Sequence, residues 1–207
     1  MAGEWISMKC EVRPFGLFLL RRMKFFNFNQ SWYGEYQYFK DAKCQVAMYV
    51  LIAEGEYRPG HQHRGSTNYD FIVEKALIRP LDQLFVDNLN GHDSGMCGHK
   101  DFWRLNDSQD VTFSGGCSGI GLIVPNTEYD IVRTDIDYHG RPQLYLGDTD
   151  SDIIPSTPDK RPTSYQPALT QCRSFTEHIG TNYLYPLPRV QYNIISGAVS
   201  TTLKDFT

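Results

Sequence analysis

The chain has 207 residues and a net charge of −4, with 20 Lys and Arg against 24 Asp and Glu. Apolar residues make up 41% and aromatics 14%, mostly Tyr and Phe, which suits one strand-biased domain with a substantial core. No basic stripe exists beyond Arg21, Arg22 and Lys24, which argues against nucleic acid, and no run of about 18 apolar residues exists to form a membrane helix.

GEWISMKCEVRP opens the chain: residues 3–10 read as a strand, and Arg13-Pro14 ends it because Pro cannot donate to a ladder. LFLLRRMKFF (17–26) is a second strand, polar in its middle, and NFNQ gives a turn. SWYGEYQYF (31–39) sets Trp32, Tyr36 and Tyr38 on one face and Glu35 and Gln37 on the other. QVAMYVLIAEGEY (45–57) is apolar on both faces at first, which places it between two packed layers. EYRPGHQHRG reads as a loop. NYDFIVEKALI (68–78) alternates, with Tyr69, Phe71, Val73 and Leu77 on one side. PLDQLFVDNLN (80–90) is helical: Pro starts it, Leu81, Leu84, Phe85 and Leu89 keep the spacing, and Gly91 ends it. GHDSGMCGHKD is loop, and DVTFSGG, GIGLIVP, EYDIVRTDI and RPQLYLGD are short strands. From about 148 the chain is rich in Asp, Pro, Ser and Thr, and TSYQPALTQC is extended. Residues 173–207 show no firm period and read as a poorly ordered tail after a domain over 3–172.

Short strands, frequent turns and no βαβ alternation mean an antiparallel sheet. The apolar faces of the early strands must close on themselves or meet a second sheet. The expectation is an all-β barrel with one short helix; a β-sandwich is the alternative. A barrel cavity would be lined by Trp32, Tyr36, Tyr38, Met48, Val50, Phe71, Val73 and Leu122. In the competing reading those side chains fill a solid core, as they do in some small barrels.

Five cysteines stand at 10, 44, 97, 117 and 172 with no C-x-x-C pair, so they read as disulfides and not as a structural zinc site. Cys97 and Cys117 flank a loop-rich segment and are expected to pair. Cys10 and Cys44 pair with each other or through Cys172, and one cysteine is left over. Sequons at Asn29 and Asn106 agree with secretion. The start, MAGEWISMK, lacks the apolar segment of a signal peptide, so the expectation is a fragment or an incomplete gene model of an extracellular protein. His61-x-His63 with Cys97 and His99 is a weak metal candidate; exposed loop histidines explain it better. DTDSD (148–152) begins like a calcium loop, but Ile153 stands where the turn needs Gly. GCSGIG (116–121) is followed by no helix, so its glycines serve a tight turn and not a phosphate. No catalytic set stands out, and the chain reads as a binding module with no cofactor and no metal.

Several blocks together carry a resemblance. GEWISMKCEVRP, LFLLRRMKFF and SWYGEYQYF resemble the opening of the domain of the adenomatosis polyposis coli down-regulated family, extracellular Wnt antagonists. QDVTFSGGCSGIGLIVPNTEYDIV and KRPTSYQPALTQC resemble its second half, most closely that of the membrane-proximal second copy. The resemblance implies a lipocalin-like barrel that encloses a lipid chain such as the acyl group of Wnt. It also implies Wnt and its co-receptor as partners, a sister domain in the full-length chain, and a place at the cell surface. Gly3-x-Trp5 is also similar to the lipocalin signature whose Trp plugs the closed end of the barrel, and Thr127-Glu128-Tyr129 to its second signature. The alternative function is a solid structural or adhesion module that contacts a partner by its surface.

Overall fold

A computed structural model describes residues 1–13, 16–63, 65–91, 96–148 and 156–172. The segment expected to be a poorly ordered tail, 173–207, and most of DTDSD lie outside the described residues.

The strands are β1 (Gly3–Ser7), β2 (Glu11–Arg13), β3 (Leu17–Phe26), β4 (Ser31–Phe39), β5 (Ala47–His63) and β6 (Ser66–Pro80). After helix α1 (Gln83–Asn90) come β7 (Gln109–Asp110), β8 (Gly116–Cys117), β9 (Leu122–Ile123), β10 (Asn126–Ile136), β11 (Pro142–Leu146) and β12 (Leu169–Gln171). Neighbours run β1-β12-β11-β10-β6-β5-β4-β3, and β1 pairs back onto β3 with Trp5 opposite Met23. All of these ladders are antiparallel, so the sheet closes into an eight-stranded barrel with no free edge along its wall. The barrel expected from the sequence, rather than the sandwich, is therefore what the described residues form, together with the expected short α-helix.

Four sequence expectations need correction. The opening strand stops at Ser7: Met8 to Cys10 bend away, and Glu11–Arg13 resumes as β2 on the same β3. The break fits Cys10, which is bonded to Cys44 in the loop between β4 and β5. Residues 56–63 are strand and not loop, because β6 supplies a full partner: Tyr57 faces Phe71 and Gln62 faces Thr67. Pro59 and Gly60 are absorbed at a register shift, where a missing ladder donor is tolerated. Leu77 does not share a face with Phe71 and Val73. Glu54 pairs Lys75 and Gly55 pairs Val73, so Glu74 is an extra residue that flips the phase and turns Ala76 and Ile78 inward. Finally, Pro80 ends β6 instead of starting the helix. Asp82 caps α1 by accepting from the Phe85 N–H at 3.1 Å, and this register buries Val86 and Leu89 and exposes Leu84.

Between β6 and β10 in the chain, helix α1 and residues 96–123 pack as a cap. Val111 donates to the Ala76 carbonyl, β7 pairs Leu77 and Ile78, and Trp103 is fully buried with its indole N–H on the Cys97 carbonyl at 3.1 Å. Cys97 and Cys117 are bonded, as expected. GCSGIG is the turn between β8 and β9. Gly116 has φ +109°, and a Cβ there would stand 2.2 Å from the Leu122 carbonyl oxygen, so only glycine fits. Of DVTFSGG only Asp110 and Gly116 are strand residues, and of GIGLIVP only Leu122 and Ile123. Cys97→Ser and Cys117→Ser are each expected to cost about 3 kcal/mol, since they open the same loop of sequence separation 20. Denaturant melts of the two variants should coincide; losses that differ by more than about 1 kcal/mol would contradict a shared bond.

Candidate functional site

Register fixes which side chains point into the barrel. On β3 the inward face is Leu19, Arg21, Met23 and Phe25, opposite Tyr38, Tyr36, Gly34 and Trp32 of β4. On β5 it is Tyr49, Leu51, Ala53, Gly55 and Tyr57, and on β6 Tyr69, Phe71 and Val73. On β10, Glu128 stands opposite Phe71 and Asp130 opposite Tyr69, so both acids share that inward face.

One part of this interior is packed. Phe25, Trp32, Tyr57, Tyr69 and Phe71 meet in edge-on, tilted and stacked pairs with centroids 5.8–6.4 Å apart. Trp5 is 3% exposed, belongs to the same core cluster, and donates its indole N–H to the Met1 carbonyl at 2.8 Å. Gly3 beside it has φ +114°, and a Cβ would meet Gln171 Nε2 at 2.8 Å, which is the physical reason for the glycine of Gly-x-Trp.

The other part is a cavity of about 470 Å³, within the range of ligand sites. More than half of its lining is apolar, including Leu19, Met23, Trp32, Leu51, Ala53, Phe71, Val73 and Leu146, with Ile120 and Leu122 reaching in from the cap. Of the side chains expected to line it, Trp32, Tyr36, Tyr38, Phe71, Val73 and Leu122 do. Met48 and Val50 do not: the inward residues of β5 are the odd-numbered ones, so Leu51 and Ala53 take their place. A larger depression of about 670 Å³ lies on the outer wall among Lys24, Tyr33, Glu35, Glu54 and Lys75, where charged side chains face solvent.

The polar part of the cavity gathers around Tyr36 and Tyr38. Arg21 crosses to Glu11 (Nε to Oε1 3.0 Å), to Gln166 Oε1 at 2.5 Å and to the Pro167 carbonyl at 2.8 Å. Arg13 joins the same Glu11 at 2.8 Å and the same Gln166 at 2.5 Å. β2 thus inverts the usual pattern, turning Glu11 inward and leaving Val12 exposed. Asp130 Oδ1 accepts from the N–H of Ile131 at 2.7 Å and of Gly147 at 2.9 Å. Burial nonetheless pushes Asp130 up to about 7, with the neighbouring Glu128 adding to the rise. Burial also raises Glu128, Tyr36 and Tyr38, and lowers Arg13. Glu128 nonetheless keeps free surface, and it is among the residues that line the cavity.

Sequence reasoning missed Glu11, Arg13, Arg21, Glu128, Asp130 and Gln166. A signal existed for three of them: Arg21 shares a parity with Leu19 and Met23, and Glu128 and Asp130 are two apart on one strand. The remaining expected residues fall elsewhere. Asn29 and Asn106 are exposed, where a glycan has room. Cys10 pairs with Cys44, and Cys172 is free and half-buried. Cys97 is spent in a disulfide and has no thiolate for a metal, and His61 lies exposed on β5. Among the described residues no cluster of three metal-ligating side chains forms, and no helix is long and apolar enough to cross a membrane.

The family model described as adenomatosis polyposis coli down-regulated 1 matches residues 1–180, a span that takes in every described residue.

Proposed function

The chain therefore belongs to the adenomatosis polyposis coli down-regulated 1 family, and on that premise we propose that it is an extracellular Wnt-binding domain that holds an acyl chain in its barrel. In this reading it dampens Wnt signalling by sequestering the acylated ligand, alone or with a co-receptor and a sister domain. The observation that carries the reading is the largely apolar cavity of about 470 Å³ inside a closed barrel. Each CH₂ taken from water contributes about 0.8 kcal/mol, so ten methylenes give roughly 8 kcal/mol, near micromolar affinity before ordering costs. The two disulfides fit an oxidising compartment. A solid adhesion module has no use for the cavity.

The test compares a Wnt-derived peptide with and without its acyl group. The acylated form is expected to bind at least tenfold tighter, and Ala53→Phe, which fills the cavity wall, should erase most of that preference. Equal binding of the two peptides would contradict the reading and favour a surface module.

One observation favours a second reading, acid–base catalysis on a bound ligand: Glu128 and Asp130 both face the cavity with raised pKa. Chemical turnover of the bound acyl ester that stops in Glu128→Gln would put that reading first; recovery of the intact acyl peptide would remove it.

A further inference from the structure

The cavity wall carries one acid that the protein leaves without a partner. Asp130 accepts two backbone N–H groups, and Glu11 is held by Arg13 and Arg21. Glu128 lines the cavity with much of its surface free, and it makes no hydrogen bond or ion pair with any described residue. A carboxyl group in that state is open to a hydrogen-bond donor that a ligand brings into the cavity. The hydroxyls of Tyr36 and Tyr38 border the same space and also lack a protein partner among the described residues. One acceptor and two hydroxyl donors therefore stand unpaired at the polar end of the cavity, beside the already bonded Arg13, Arg21, Asp130 and Gln166.

We propose that the cavity selects an amphipathic ligand by its head: an uncharged group that donates a hydrogen bond to Glu128 and accepts from Tyr36 and Tyr38, an alcohol or an amide. The inference rests on the acyl-binding reading above and adds the head-group rule. Both arginines on the wall are already engaged with Glu11 and Gln166, so neither is open to an anionic head. A fatty-acid carboxylate would enter only by facing Glu128 as a like charge or by taking up a proton to share with it, and both are unfavourable in mildly alkaline buffer. Two sources present the favoured head: a chain esterified to a peptide, through the backbone amide, and a chain esterified to glycerol, through its free hydroxyls.

The experiment measures binding of three probes to the disulfide-intact chain at about pH 8: monoolein, an end-blocked peptide carrying an oleoyl-serine, and oleate. The two uncharged probes should each bind at least tenfold tighter than oleate, and the tighter of them identifies the source. In Glu128→Gln and in Glu128→Ala the gap should shrink to threefold or less. Oleate binding as tightly as the uncharged probes in the unaltered chain, which requires no variant to fold, overturns the head-group rule and leaves the cavity reading standing. A preference that survives both substitutions also overturns it. Failure of all three probes overturns the acyl-binding reading and the head-group rule with it.

Discussion

Glu11→Ala should lower folding stability by about 3–5 kcal/mol, the cost of stranding buried charge. The side chains of Glu11 and Arg21 are each 2% exposed, and Arg13 is 14% exposed. Glu11 also accepts from the Ser7 hydroxyl at 2.5 Å, so one carboxylate joins β1, β2 and β3. Removing it leaves Arg21 with only the neutral oxygens of Gln166 and Pro167. The pair itself need not be a large source of stability, because desolvating both ions opposes their attraction. The double variant Glu11→Met with Arg21→Met is therefore expected to recover much of the single variant's loss. Urea melts with disulfides intact check both. A loss under about 1 kcal/mol for Glu11→Ala would mean that water reaches Arg21 and that the cluster is not sealed.

Trp5→Ala should cost about 3–5 kcal/mol, as large aromatic-to-alanine changes in a packed core do. Trp5 sits where the barrel seam closes, opposite Met23 on one side and Gln171 on the other. Losing it removes the indole from the core and the hydrogen bond that ties Met1. A milder change, Trp5→Phe, keeps most of the apolar volume and should cost clearly less. A loss below about 1 kcal/mol for Trp5→Ala would show that the seam holds without it.

What the sequence revealed followed from alternation where one face was apolar and the other polar. Strand β4 shows this: Glu35 and Gln37 mark the outside, so Trp32, Tyr36 and Tyr38 were placed correctly against the cavity. Strand β5 gave no such mark. Met48 to Ala53 are apolar on both faces, the phase was undetermined, and Leu51 and Ala53 were passed over for Met48 and Val50. Leu77 failed for another reason, since a one-residue bulge at Glu74 reverses every later side chain. The ion cluster was hidden because its members come from β2, β3 and the segment before β12, which only the closed barrel brings together. Charged residues are seldom fully buried, so nothing in one dimension marks Glu11 as interior, and Arg21 has only its parity with Leu19 and Met23. The pairing of Cys10 was likewise open in one dimension and is settled by the bend after β1.

The central claim, that the barrel holds an acyl chain, is tested most directly by native mass spectrometry of the domain secreted from animal cells behind a fused signal peptide, with glycans removed. The account predicts an adduct in the mass range of a fatty acyl lipid, or uptake of an added one, that Ala53→Phe abolishes. A bare protein mass that stays unchanged when acylated ligand is added in excess would contradict it.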